Sequence, residues 1–206
     1  MPGMTVRNFC GGFVQTNGWL ASNGDRHVLF DAPDDAAEWL ASEGIRLEAL
    51  VLTHQHFDHV MHAARIREEH GCPIHAWSAA SRGLWLSDLF SGLAGWSLEV
   101  PAYEVDEELA GREKLSVAGM EFQLFHVPGH SPDSVCFYHA PSKQCIVGDT
   151  VFAESIGRAD LPGGSMEQLV EGIRTRLLTL PDDVTLFPGH GPTTTVGHER
   201  RANPYL

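Results

Sequence analysis

Apolar and polar residues alternate with a period of two over several short stretches of this chain and with a helical period over others. Residues 5–21 read as two strands broken around Gly11 and Gly12, and residues 26–30 as a third, with Asn23, Gly24 and Asp25 making a hairpin turn. Residues 34–43 carry Ala37, Leu40 and Ala41 at helical spacing and stop at Gly44, which predicts a helix with a glycine C-cap. A short apolar strand over 50–53 precedes a second helix over 58–70, again closed by glycine, and a strand over 74–77. Further strands are predicted over 121–127, 136–138, 144–147 and 184–187, with a helix over 166–178 between the last two. Strands interleaved with helices predict an α/β protein in which helices cover sheet. Residues 78–100 stand apart, with Trp85, Leu86, Phe90, Leu93 and Trp96 among glycines and serines. Two readings fit this segment, a helix packed on the core or an apolar wall over a pocket.

Composition adds that the chain is an ordinary globular protein, 43% hydrophobic and 20% charged. No repeat or linker divides it, so one domain over residues 1–206 is expected. Fourteen Lys and Arg against 27 Asp and Glu leave a net charge of -13. Such a surface repels phosphate backbones and anionic lipid, so neither nucleic acid nor membrane is expected as a partner. The opening MPGMTVRNFC has no basic segment leading into an apolar run, and no later stretch has the length of a membrane span, so a cytoplasmic location is expected. The cysteines, Cys10, Cys72, Cys136 and Cys145, contain no C-x-x-C pair and read as reduced thiols.

The twelve histidines change the picture. The strand over 50–53 runs into His54-Gln55-His56-Phe57-Asp58-His59. In extended chain, residues two apart face the same way, so His54 and His56 present two imidazoles together, and Asp58 and His59 open the next helix beside them. Three other predicted strands end in similar chemistry, at Gly129-His130, Gly148-Asp149 and Gly189-His190. A glycine before each permits the tight turn that aims the side chain back over the sheet edge. Ligands at strand ends converge on one cleft in an open α/β sheet. Five histidines and two aspartates make a nitrogen and oxygen shell suited to zinc, iron or manganese, with one carboxylate free to bridge two ions. His27, His70, His75, His126, His139 and His198 lie outside this pattern and read as structural. His62 falls four residues after Asp58 and three after His59 on the predicted helix, so it reads as a partner that orients one of them.

Through T-H-x-H-x-D-H at residues 53–59, then His130, Asp149 and His190, the sequence resembles the metallo-β-lactamase superfamily. The resemblance implies a four-layer αββα sandwich with metals at the edge of the two sheets. It implies that His54, His56 and His130 hold a first metal, that Asp58, His59 and His190 hold a second, and that Asp149 bridges them. Two divalent ions are expected, zinc first, with iron or manganese as alternatives, and with them a bridging hydroxide as nucleophile that Asp58 orients. Asp31, ending the third strand, matches an aspartate that many relatives carry near the site, where it would support a ligand. Residues 148–152 and 155–164, with Pro188-Gly189-His190-Gly191-Pro192-Thr193 and the tail around Glu199-Arg200, look like the glyoxalase II (hydroxyacylglutathione hydrolase) group, in its short single-domain form. That implies a small-molecule thioester substrate, S-2-hydroxyacylglutathione cleaved to a hydroxy acid and glutathione, with Arg158 meeting a carboxylate of the thiol portion, or else pairing with Asp160 or another carboxylate to pin its loop. Asp160 stands where the larger enzymes of that group have a tyrosine. Two alternatives remain, a persulfide dioxygenase with a single iron, and a hydrolase of lactones or other esters. Gly191-Pro192 after the last histidine, in place of the Asp-Tyr usual in the dioxygenases, favours the hydrolase.

Overall fold

A computed structural model describes residues 3–95 and 97–206. The first sheet has six strands in chain order: β1 (Thr5–Gly11), β2 (Thr16–Asn23), β3 (Arg26–Phe30), β4 (Ala49–Val51), β5 (Ile74–Ala76) and β6 (Glu107–Glu108). The first three pair antiparallel and β3 to β6 pair parallel. Across their connections run α1 (Ala36–Ser42), α2 (Phe57–Val60), α3 (Ala63–His70), α4 (Arg82–Trp85) and α5 (Ser87–Ala94). The second sheet holds β7 (Lys114–Val117), β8 (Met120–His126), β9 (Val135–His139), β10 (Gln144–Gly148), β13 (Thr185–Pro188) and β14 (Thr194–Thr195), once the small hairpin of β11 (Val151–Phe152) and β12 (Ser155–Ile156) is set aside. Two helices complete the chain, α6 (Met166–Gly172) and α7 (Val196–Ala202).

The period-two pattern sorts side chains into three apolar layers. Trp19, Ala21, Val28, Phe30, Ala49 and Val51 face Phe122, Phe137, Ile146 and Phe187 between the sheets. Their neighbours Leu20, Leu29, Leu50 and Leu52 face the other way, onto Ala37 and Leu40 of α1 and Ile66 of α3. On the far side, Cys136, Cys145, Val147 and Leu186 pack against Leu169 of α6 and Val196 of α7. The order is helix, sheet, sheet, helix, the expected αββα sandwich. No helix among the described residues is long and apolar enough to cross a membrane.

The expected helix over 58–70 is two helices. The carbonyl of His59, which would accept from residue 63 in an unbroken helix, accepts instead from the Ala32 amide at 2.7 Å, and the His62 amide donates to Ala32 O at 3.0 Å. The segment after β3 thus inserts into the helical ladder and stops α2. The helix expected over 166–178 begins as α6 at an N-cap, Ser165, and widens into a π-helical turn over Ile173–Leu177. Within 78–100 both readings hold in part. Trp85 is 7% exposed and stacks on Tyr103 with centroids 5.7 Å apart, whereas Phe90 packs at a tilt on Phe57 beside the histidines, centroids 5.0 Å apart. Trp96 lies outside the described residues. The strands β6, β7, β11, β12 and β14 and helix α7 have no counterpart in the pattern reading. They are short, or polar like Glu107–Glu108, and little periodicity marks them.

Candidate metal centre

Four strands end at one edge of the sandwich, and the segments that leave them, α2 among them, carry the seven expected residues. His54 and His56 follow β4, with His54 Nε2 3.1 Å from His56 Nδ1. The His130 ring lies 4.9 Å from His54 and 4.5 Å from His56, centroid to centroid. On the other side, Asp58 Oδ2 is 3.4 Å from His59 Nε2 and 3.3 Å from His190 Nε2. Asp149 lies between the two groups, Oδ1 3.4 Å from His59 Nε2, and Oδ2 3.5 Å from His130 Nε2 and 3.4 Å from His190 Nε2. Three overlapping sets therefore bring ligand atoms within 4.8 Å of one another: His54, His56 and His130; His54, His59 and Asp149; Asp58, His59 and His190. Two glycines make the approach possible. Gly148 has φ +52, and a Cβ on Gly189 would stand 2.0 Å from Asp149 Oδ1.

Buried partners aim the rings. Asp31, with no exposed surface, accepts from His59 Nδ1 at 2.9 Å, from the Thr53 hydroxyl at 2.8 Å and from the Thr53 amide at 2.8 Å. Because that hydroxyl gives its proton to Asp31, it accepts from His54 Nδ1 at 3.1 Å. His130 Nδ1 donates to the carbonyl of Arg158 at 2.7 Å. Each of these bonds takes Nδ1 of its ring and leaves Nε2 facing the cluster. Gln55, fully buried between His54 and His56, donates to Ser78 O at 3.1 Å and accepts from the Tyr103 hydroxyl at 2.9 Å.

The electrostatics match a metal site. Burial, with help from neighbouring rings, pushes His54 well below the ordinary histidine value and His56 down to about 3. Burial works to raise the Asp58 and Asp149 carboxyls, but His59 and His190 overcome it and hold both ionised. Burial works against charging His59 and His190 too, yet the carboxylates around them raise both. Neutral imidazoles and ionised carboxylates are the ligating forms, and the raised pair marks where the carboxylates call for positive charge. His59 Nε2, His130 Nε2 and Asp149 Oδ1 are buried with no hydrogen-bond partner among the described residues. Orphaned polar atoms of this kind carry a desolvation cost that a cation at their centre would offset. The donor set fits one or two divalent ions.

One expected contact is not made. The His62 ring faces away from Asp58 and His59 and lies on the first turn of α1, where Nδ1 accepts from the Ala37 amide at 3.2 Å and Nε2 is 3.1 Å from Asp34 Oδ1. The break after α2 turns it there. Arg158 pairs with Asp160, Nε and Nη2 donating to its two oxygens at 2.7 and 2.8 Å. Residues that the pattern reading passed over also shape the site. Thr16 donates to Asp58 Oδ2 at 2.7 Å. Phe13, Val14, Phe57, Met61 and Leu98 line an apolar pocket of about 200 Å³ that opens on Asp58. Buried Glu199 accepts from the Glu154 amide at 3.0 Å and from Asn203 Nδ2 at 2.8 Å, pinning the turn between β11 and β12 that leads to Arg158. Only the run Phe13-Val14 beside two glycines offered a signal, as apolar residues exposed at a turn.

Comparison with known proteins agrees with this geometry. The sequence pattern of the metallo-beta-lactamase superfamily matches residues 11–190. Hydroxyacylglutathione hydrolase GloC of Haemophilus influenzae is 36% identical over 202 residues, 93% of each chain. The crystal structure of BLEG-1 B3 metallo-beta-lactamase superposes with a TM-score of 0.90 at 34% identity, covering 98% of this chain and 99% of that one. That of TTHA1623 in a di-iron-bound form has a TM-score of 0.83 at 34% identity, covering 98% of this chain and all of the other, 100%. With seven ligand-type residues gathered at the sheet edge and a family match across most of its length, this chain belongs to the metallo-β-lactamase superfamily.

Proposed function

We propose that this protein is a dinuclear metallo-hydrolase that cleaves thioesters of the glyoxalase II type. The observation that carries the reading is Asp149, with its oxygens between the triad of His54, His56 and His130 and the triad of Asp58, His59 and His190. The likeness to hydroxyacylglutathione hydrolase GloC supports the substrate class, and the likeness to a di-iron protein leaves zinc and iron both in view. When bound, two divalent ions supply Lewis acidity for the substrate carbonyl and lower the pKa of water towards neutrality.

The remaining work falls to side chains. Asp58 is ionised, and its side chain is 13% exposed. It takes the proton of the attacking water and returns it to the departing thiolate as the C–S bond breaks, so that thioester and water yield acid and thiol. Asp31, Thr53 and the Arg158 carbonyl hold the rings in register. The pocket beside Asp58 excludes water from one side of the reacting carbonyl and accepts an apolar group. Arg158 offers the nearest expected anchor for a carboxylate on the thiol portion, in exchange for Asp160.

Elemental analysis together with assays on S-lactoylglutathione, a lactone and a β-lactam tests the reading. Two metal ions per chain and preferred thioester cleavage are expected, and Asp149→Ala should lose metal and nearly all hydrolysis together. One iron per chain with oxygen consumed on a persulfide, and no thioester cleavage, would replace this reading with the dioxygenase.

A further inference from the structure

The two triads are braced differently. His54 leans on the neighbouring Thr53, and His130 on the Arg158 carbonyl after β12. Asp58 and His190 come from opposite sheets, and the start of β2 joins them. Thr16 is fully buried, and its hydroxyl donates at 2.7 Å to Asp58 Oδ2, the oxygen that faces His59 and His190. Its backbone forms an isolated β-bridge with His190 itself. The next residue locks that bridge. The Asn17 amide donates to Gly189 O at 2.7 Å, and its side chain donates to Pro188 O at 3.0 Å and Gly191 O at 2.9 Å, so the carbonyls flanking His190 are all held.

We propose that Thr16, held in place by Asn17, is a positioning residue that sets the affinity of the Asp58, His59 and His190 half-site for its metal ion without being a ligand. The inference rests on the dinuclear reading above. A carboxylate beside a histidine pair has several rotamers and two equivalent oxygens, and ordering it costs entropy when the ion arrives. The Thr16 hydroxyl selects one oxygen and one rotamer in advance, and its burial leaves no water to replace it. Among the described residues the Thr16 hydroxyl bonds Asp58 and not His54, His56 or His130, so that half-site should not respond. Partners one shell out from a metal typically change its affinity 10- to 100-fold.

The test is a cobalt(II) titration of the metal-depleted full chain, followed by visible ligand-field absorption and by calorimetry. Two equivalents are expected for the wild type. Thr16→Val, which keeps the branched shape and removes the hydroxyl, should weaken one equivalent roughly 10- to 100-fold and leave the other unchanged. Thr16→Ser should restore both, which separates the hydroxyl from any loss of packing. Equal weakening of both equivalents in Thr16→Val, failure of Thr16→Ser to restore the weakened one, or two unchanged equivalents in Thr16→Val would overturn the proposal while leaving the dinuclear reading intact. A single equivalent in the wild type would overturn both.

Discussion

Asp31 adopts φ 63, a left-handed backbone that a non-glycine residue rarely takes and that aspartate tolerates better than most. The strain places one carboxylate where it meets Thr53 and His59 together, so a single buried acid orients a ring in each half of the cluster. Arg158 illustrates the opposite case, a cation whose fork is already filled by Asp160. A substrate carboxylate must compete with Asp160 for the Nε and Nη2 edge, which lowers the gain below that of a free charge-assisted bond. If Arg158 is the anchor, Asp160→Ala should lower KM for an anionic thioester a few-fold, and Arg158→Ala should cut kcat/KM up to about tenfold, about 1.4 kcal/mol. A neutral thioester should respond to neither change. Steady-state kinetics on the two substrates checks this, and equal effects on both would reduce Arg158 to a loop fastening.

Short elements hold the site through contacts between them. Trp85 of α4 stacks on Tyr103, Tyr103 bonds Gln55, and Gln55 lies between His54 and His56. Trp85→Ala should therefore cost about 3–5 kcal/mol of stability, as for other buried tryptophans, readable as a lower midpoint in urea; an unchanged midpoint would make Trp85 a wall residue after all. A second fastening joins α3 to the first sheet. Asp106 accepts from Arg67 at 2.7 and 3.0 Å and from the Ile74 amide at 2.9 Å. The Arg67 bonds outweigh burial and bring the Asp106 carboxyl down to about 2. A carboxyl lowered in the folded state contributes stability above its unfolded pKa near 4 and loses it as pH falls towards 2. Asp106→Asn should thus cost about 1 kcal/mol at pH 7, with the gap to wild type closing between pH 4 and 2. Paired unfolding curves across that range measure it, and a gap that stays constant would assign the loss to packing instead.

At the scale of the whole molecule, the cluster is also a seam. Four of its residues, His54, His56, Asp58 and His59, leave the first sheet, and three, His130, Asp149 and His190, leave the second. Protein bonds already stitch the same edge, from the Val135 amide to Thr53 O at 2.9 Å and from the Trp19 indole to Pro188 O at 2.8 Å. Ions that bind the folded seam and not the unfolded chain should stabilise it by mass action, about 4 kcal/mol at a thousandfold excess over Kd. Chelation should then lower the melting temperature by roughly 8–16 °C and abolish hydrolysis, and zinc should restore both. Activity lost with an unmoved melting temperature would mean that the metal does not join the sheets. The net charge of -13 acts at this scale as well, favouring cations at the cluster.

Hydrophobic alternation determined the two faces of the longer inner strands, because a period of two puts Trp19, Phe30 and Val51 on one face and Leu20, Leu29 and Leu50 on the other whatever the neighbouring strand is. The seven residues gathered at the sheet edge were equally legible, since each comes soon after a strand and three follow a glycine, signals that are local in the chain. What only the tertiary structure decided lies in pairs far apart in sequence. Ala32 breaks the helix at His59, α1 claims His62, Thr16 claims Asp58, and Asn17 reaches Pro188 and Gly191 across most of the chain. Local periodicity records which face of an element is apolar. The polar atom that meets a given hydroxyl or ring nitrogen depends on how two sheets are docked, and that register is a property of the packed core.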